Sequence, residues 1–116
     1  MAHSDCLFCS IAAGRIPATM VFQDEAVVAF RDIAPQMPVH IVIVPRTHLS
    51  GLAELDEATA PLVGRVALAA RRIAEDLGVA ASGYRLISNC GADAGQSVAH
   101  LHFHLLAGGR MTGRMG

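Results

Sequence analysis

The alternation of apolar and polar residues along the chain predicts five short strands. The runs "TMVFQD" and "AVVAFRD" are separated by the turn-forming Asp24 and Glu25 and favour a β-hairpin. A third strand is expected at "VHIVIVPR", which is rich in β-branched residues and ends near Pro45. The segments "YRLISNC" and "HLHFHLL" predict two more strands, one on each side of the loop "GADAGQS".

Helical spacing of apolar residues occurs in two segments. The segment "CLFCSIAAG" predicts a short helix that stops at its glycine, and a longer helix is expected over residues 56–77, ending at Gly78. Asp56 and Thr59 are alternative caps for the long helix, and Pro61 suits its first turn. The order αβββαββ predicts an α+β domain: a five-stranded antiparallel meander sheet with one long and one short helix, both on one face.

Composition and charge narrow the class of protein. The chain has 116 residues, of which 53% are hydrophobic, and this predicts a single domain over residues 1–116. A net charge of −1 gives no electrostatic basis for binding nucleic acid or an anionic membrane. The N-terminus lacks a basic region followed by an apolar one, and three cysteines are an odd number for disulfides, so we expect a soluble cytoplasmic protein.

The segment "HLHFHLL" places three of the six histidines at alternate positions. In a strand, side chains two residues apart share a face, so His100, His102 and His104 would lie about 6.6 Å apart in a row. An ordinary solvent-facing strand would carry threonine, lysine or glutamate there instead. Because a neutral imidazole is a good nucleophile toward phosphorus near pH 7, this row indicates phosphoryl chemistry.

The loop "NCGADAGQS" precedes the histidine row and has the composition of a phosphate-binding loop. Asn89 offers an amide donor, Gly95 allows close approach of the backbone, and Ser97 offers a hydroxyl beside a leaving group. Taken alone, the same loop could be an ordinary connection between two strands.

The motif "CLFC" near the N-terminus indicates a metal site. Thiolates of Cys6 and Cys9 on one helical turn can bind zinc, and His48 and His100 are the candidates for the two remaining ligands. A thioredoxin-like redox role does not fit, because Cys6 lies too near the terminus to follow a strand. The alternative is a pair of small buried cysteines.

Together these motifs resemble the histidine triad superfamily, and in particular its Hint branch of purine nucleoside phosphoramidases. The signature His-x-His-x-His followed by two apolar residues matches residues 100–106, and the similarity covers nearly the whole chain. The resemblance implies a HIT-like fold, a homodimer with one continuous sheet, and cleavage of AMP- or GMP-linked amines. The C-terminal "MTGRMG" departs from the Trp-Pro-Pro-Gly ending common in the family.

The resemblance also assigns roles to residues. It implies that His102 attacks the α-phosphorus to form a nucleotidyl-histidine, that His104 contacts the phosphate oxygens, and that Asp32 accepts hydrogen bonds from the ribose hydroxyls. Asp32 could instead cap a turn. The superfamily also provides a precedent for structural zinc on a cysteine pair, a distal histidine and the first histidine of the triad. The implied apolar walls around the base are Leu7, Phe8, Ile11, Phe30 and Ile33.

Two other functions are compatible with the sequence. One is a dinucleoside polyphosphate hydrolase of the Fhit branch, and the other is a nucleotide-binding scaffold with little catalysis. His40 either hydrogen-bonds to the triad or simply lies on the third strand. Cys90 is interpreted as a core residue and His3 as part of a flexible terminus.

Overall fold

The structure, a computed structural model that describes residues 5–113, is built on a five-stranded antiparallel sheet. His3 and the last three residues of the tail lie outside the described residues. The strands follow the order β1-β2-β3-β5-β4, so β5 lies between β3 and β4 instead of at the edge that a simple meander would give it. The strand bounds are β1 Met20–Gln23, β2 Val27–Arg31, β3 Val39–Pro45, β4 Tyr84–Ile87 and β5 Phe103–Ala107.

The two helices pack on opposite faces of the sheet, so the prediction that both lie on one face is wrong. Helix α1 spans Leu7–Ala12 and helix α2 spans Pro61–Asp76. On β2, Val28 faces the cluster that includes Phe8 of α1, whereas Val27 belongs to the cluster formed with α2. Successive side chains of a strand point to opposite faces, and nearly every residue of β2 and β3 is apolar. Both faces therefore need a cover.

Helix α2 begins at Pro61, five residues later than the predicted start. The backbone N–H of Thr59 donates to Oδ1 of Asp56 at 2.9 Å, and the Asp56 N–H donates to the Thr59 hydroxyl oxygen at 3.0 Å. These two candidate caps thus close a turn before the helix, and Pro61 occupies its first turn as expected. Gly78, with φ of +74°, follows the helix end.

Two short 3₁₀ turns, Leu52–Glu54 and Ala92–Ala94, complete the regular structure of the described residues. Among residues 5–113, no helix is long and apolar enough to cross a membrane.

Candidate active site and metal centre

The histidine row begins before its strand. Strand β5 starts at Phe103, so His100 and His102 belong to the segment that leads into it, and the strand prediction is wrong for these first positions. The backbone of this segment bonds to loops instead of strands: the Leu101 N–H donates to the carbonyl of Leu49, and the His100 N–H donates to that of Val98.

The predicted alternation of side chains nevertheless holds. Leu101 and Phe103 belong to the core beneath α2, whereas the rings of His100 and His102 contact Phe8 of α1, with centroids 6.0 and 5.0 Å away. The rings of His102 and His104 lie 5.1 Å apart. His100 is 0% and His102 3% exposed, so these two histidines are buried and do not form a solvent-facing strand surface.

The ring of His102 has a defined orientation and tautomer. Its Nδ1 lies 2.7 Å from the carbonyl oxygen of His100. Because a carbonyl can only accept, Nδ1 carries the proton, and the lone pair of the neutral ring is on Nε2. His102 also lines an apolar cavity, so Nε2 is the nitrogen available to a bound phosphorus.

His104 belongs to a group of polar side chains beside this cavity. Its Nδ1 lies 2.9 Å from Nε2 of His40 on β3, and the His40 Nδ1 accepts from the backbone N–H of Gln36 at 3.0 Å. Burial lowers the pKa of both imidazoles. Both open interpretations of His40 are therefore true: it lies on the third strand, and it hydrogen-bonds to the triad.

Asp32 follows β2 and does two things at once. Its Oδ1 accepts from the backbone N–H of Ala34 at 2.8 Å, which is the turn-capping role. Its Oδ2 lies 3.4 Å from Nε2 of His40. Asp32 also lines the cavity, so the turn holds its side chain both near His40 and at the space where a ligand would bind.

The cavity has a volume of about 950 Å³ and is mainly apolar. Two of its walls are open to solvent, since Leu7 is 45% and Ile33 fully exposed, and exposed apolar side chains at a cavity suit an apolar ligand group such as a base. The five residues predicted as walls all line it, namely Leu7, Phe8, Ile11, Phe30 and Ile33. The lining residues that the sequence analysis missed are Ile16, Pro17, Ala18, Thr19, Arg31, Val42 and Val98.

The predicted phosphate loop is only partly at the cavity. Ser97 lines it together with His102 and His104, whereas Asn89 and Gly95 are not among the lining residues. Gly95 adopts φ of +81°, a left-handed conformation that favours glycine, and this gives the residue a conformational role.

Gln96 holds the loop in place, and the sequence analysis did not identify it. Its side-chain amide donates to the carbonyls of Ser50 at 2.6 Å and Val98 at 3.0 Å, and its Oε1 accepts from the N–H of Gly91. These three bonds fix the backbone on both sides of Ser97. Its place beside Ser97 in "GQS" was the one available signal, but the partner carbonyl of Ser50 is distant in sequence.

Cys6, Cys9, His48 and His100 form a cluster that could hold a metal ion, with all four ligand atoms within 4.8 Å of one another. Sγ of Cys9 lies 3.3 Å from Nδ1 of His48 and 3.5 Å from Nδ1 of His100, and Sγ of Cys6 lies 3.3 Å from the same His100 atom. In a tetrahedral zinc site a sulfur and a nitrogen ligand are separated by about 3.6 Å. The predicted ligands therefore meet at distances that fit the ion.

His100 presents the correct nitrogen to this cluster. Its Nε2 lies 2.9 Å from the carbonyl oxygen of Pro45, so Nε2 carries the proton and the lone pair of Nδ1 faces the two sulfurs. Burial and the adjacent Cys6 raise the pKa of the Cys9 thiol to about 11. A thiol so reluctant to ionise becomes a thiolate when a cation compensates its charge.

Comparison with known proteins gives consistent results. Residues 13–111 match the HIT domain family. The chain is 43% identical over 109 residues to the purine nucleoside phosphoramidase of Escherichia coli K12, covering 94% of this chain and 91% of that protein. It is 41% identical over 113 residues to adenylylsulfatase HINT1 of Arabidopsis thaliana, covering 96% and 76% of the two chains.

Solved structures support the same conclusion about the fold. A histidine triad protein from Clostridium difficile superposes with a TM-score of 0.95 at 41% identity, covering 97% of this chain and 98% of that one. A HIT family hydrolase from Clostridium thermocellum gives a TM-score of 0.93 at 45% identity, with 96% of each chain covered.

Proposed function

This chain belongs to the HIT domain family, and from that premise we propose that it hydrolyses purine nucleoside 5′-phosphoramidates, in which AMP or GMP is linked to an amine. The observation that carries the proposal is the orientation of His102. Its Nδ1 is held by the His100 carbonyl, so the lone pair of Nε2 is available at the apolar cavity. Relatives named purine nucleoside phosphoramidase and adenylylsulfatase support a reaction at the phosphorus of a nucleotide.

In the first step, Nε2 of His102 attacks the α-phosphorus. A phosphorus–nitrogen bond forms to His102 as the bond to the leaving amine breaks, and the amine departs with the electron pair of that bond. Ser97, which lines the same cavity, is proposed to deliver the proton that the amine needs. His104 is proposed to donate to the phosphate oxygens, where negative charge grows in the transition state.

In the second step, water attacks the phosphorus of the nucleotidyl-histidine, and the proton that the water loses replaces the one that Ser97 gave to the amine. The phosphorus–nitrogen bond to His102 breaks, Nε2 recovers its lone pair, and the nucleoside monophosphate is released. The step returns the enzyme to its starting state, as covalent catalysis requires.

Asp32 is proposed to accept hydrogen bonds from the ribose hydroxyls, with the purine base in the apolar cavity. Its carboxylate lines the cavity and is fixed by its turn, which supports this role. Asn89 and Gly95 remain predicted phosphate contacts on the basis of residue type, without support from the cavity lining.

We further propose that the metal bound by Cys6, Cys9, His48 and His100 is structural zinc. The donor set of two thiolates and two imidazoles is one that zinc prefers in closed tetrahedral sites. When bound, the ion would supply a cross-link between the start of α1 and two distant segments of the chain. His100 is the ligand that precedes His102, so this cross-link would hold the nucleophile's carbonyl partner in place.

We also propose that the chain is a single domain over residues 1–116, that it is located in the cytoplasm, and that it forms a homodimer. The homodimer is supported by two surfaces of the fold. The edge strand β4 pairs on one side only, with β5, and Tyr84 on it is partly exposed. Leu68 on α2 is 61% exposed. An unpaired edge and large exposed apolar side chains are features that a second copy could cover.

A turnover assay over a panel of substrates tests the proposed activity. The panel contains AMP and GMP amides, adenylyl sulfate and a diadenosine polyphosphate, and the measured quantity is kcat/KM. The amides should be turned over fastest. Preferential cleavage of the diadenosine polyphosphate would instead indicate the Fhit-type activity, and nucleotide binding without turnover would indicate a scaffold.

A further inference from the structure

A continuous series of hydrogen bonds runs from the backbone at Gln36 to the histidine proposed to contact phosphate. The Gln36 N–H lies 3.0 Å from Nδ1 of His40, and Nε2 of His40 lies 2.9 Å from Nδ1 of His104. His40 is only 6% exposed, on β3, and the neighbouring β5 carries His104. Two buried or half-buried rings on paired strands thus meet through their ring nitrogens, with the ring planes 60° apart.

The hydrogen bond from the Gln36 N–H determines which nitrogen donates and which accepts in every later bond of this series. A backbone N–H can only donate, so Nδ1 of His40 must be the acceptor and has no proton. The neutral His40 ring then carries its proton on Nε2. Asp32 agrees with this assignment, because its Oδ2 lies 3.4 Å from Nε2 and stabilises a proton there.

The tautomer of His40 determines the tautomer of His104 in the same way. The His40 Nε2–H donates to Nδ1 of His104, so Nδ1 of His104 has no proton, and the neutral ring carries it on Nε2. His104 lines the cavity, so its remaining nitrogen can serve as a donor to a ligand there. A phosphate oxygen is an acceptor, and only the Nε2-protonated tautomer of His104 can donate to it.

We propose that His40 is a positioning residue that fixes the Nε2-protonated tautomer of His104, and so makes His104 a hydrogen-bond donor to the phosphate. His40 does not line the cavity and acts through His104. This inference rests on the proposed function for the identity of the ligand, but the tautomer itself is a property of the protein alone.

Asp32, His40 and His104 also have ligand atoms close enough together to hold a cation. The tautomer argues against that use. A metal bound to Nε2 of His40 would force the ring proton onto Nδ1, where it would face the N–H of Gln36, donor against donor. The backbone therefore favours a shared proton between the two histidines over a shared metal ion.

The tautomers are measured by long-range ¹H–¹⁵N NMR on the full-length protein, purified with its metal and labelled at the histidine nitrogens. In the wild type, His40 and His104 should both show a protonated Nε2 and an unprotonated Nδ1. His40→Leu should change His104 to a mixture of tautomers. His40→Gln should preserve the wild-type state of His104, because a glutamine amide can donate from the position of Nε2.

Steady-state kinetics on an AMP amide provide the second measurement. His40→Leu should lower kcat about 10- to 100-fold, the usual effect of losing the hydrogen-bond partner of a functional histidine, with little change in KM. His40→Gln should recover most of kcat. Thermal unfolding of both variants separates a folding defect from this effect.

The outcomes distinguish this inference from the proposed function. A wild-type His104 with its proton on Nδ1 overturns the inference whatever the enzyme does. An unchanged His104 tautomer in a folded His40→Leu protein also overturns it, as does a kcat that His40→Gln fails to recover. The predicted tautomers without turnover of any amide would support the inference and contradict the proposed function.

Discussion

His102 donates from Nδ1 to the carbonyl oxygen of His100 across 2.7 Å, which joins the proposed nucleophile directly to a member of the candidate metal cluster. The side chain of His100 in turn donates from Nε2 to the carbonyl of Pro45 at the end of β3. One residue thus contributes its imidazole to the cluster and its backbone to the orientation of the neighbouring ring. Any change that moves His100 should affect both sites.

The first prediction concerns covalent catalysis by His102. Loss of a general acid or base lowers turnover about 10²–10⁴-fold. His102→Ala should lower it by more than that, because the nucleotidyl intermediate can no longer form. Nucleotide binding should persist, since Asp32 and the apolar walls are untouched. Kinetics and equilibrium binding of AMP measure the two effects.

His104→Ala is the matched control, and its rate should fall by less. Rapid quench of the wild type with a labelled AMP amide, followed by mass spectrometry under mildly alkaline conditions, should locate the adduct on His102. An adduct on Cys90 or Ser97, or wild-type turnover by His102→Ala, would show that the nucleophile is misassigned.

The second prediction concerns the metal. Protein purified without a histidine tag or added metal should contain near-stoichiometric zinc by elemental analysis. Cys9→Ala should lose the zinc and unfold at a lower temperature, because binding of a structural metal is coupled to folding.

Cys90→Ala makes the same substitution at a cysteine outside the cluster and should retain its zinc. Well-folded wild-type protein that contains no metal would contradict the proposal of a structural zinc site. Equal zinc content in the two cysteine variants would exclude Cys9 as a ligand.

The third prediction concerns stability and pH. Burial lowers the pKa of His40 from its ordinary value of 6.5, an effect that outweighs the nearby Asp32 carboxylate. Below pH 6.5 the unfolded chain therefore binds a proton at this site more readily than the folded chain does. The stability that the folded chain gains from keeping His40 neutral is fully present above pH 6.5. The free energy of unfolding should therefore fall as the pH drops from 6.5 toward the lower pKa of His40 in the folded chain.

Urea unfolding at a series of pH values tests this dependence. His40→Gln cannot titrate, so its free energy of unfolding should fall less steeply below pH 6.5 than that of the wild type. Both proteins retain the four residues of the proposed metal cluster, so acid release of a bound metal should affect them alike. Identical slopes would show that His40 does not titrate differently in the folded and unfolded states.

The fourth prediction concerns the homodimer. Light scattering at micromolar concentration should give twice the 12.2 kDa mass of one chain. Leu68→Glu places a charge on an exposed apolar position of α2 and should shift the mass toward the monomer. Ala58→Glu adds the same charge at an exposed position outside α2 and β4 and should leave the mass unchanged. A monomeric wild type contradicts the dimer, whereas a dimeric Leu68→Glu contradicts only the proposed contact.

Local patterns in the sequence were sufficient to identify most elements and to select the candidate residues of both sites. Alternation of side chains determined that Leu101 and Phe103 face one core while His100 and His102 face the other way. The motif "CLFC" indicated a metal site through its donor chemistry, and the resemblance to the histidine triad superfamily supported His48 and His100 as the other candidate ligands. Periodicity and donor chemistry are properties of short segments, which is why they can be read without the fold.

The tertiary structure alone decided how these segments meet. The insertion of β5 between β3 and β4 brings His104 beside His40, and the hydrogen bond from Gln36 then determines both tautomers. The segment before β5 forms a backbone bond from Leu101 to the distant Leu49, and the anchoring of the Ser97 loop follows from the bond between Gln96 and Ser50. Each of these features depends on contacts between residues far apart in sequence, which local propensity does not encode.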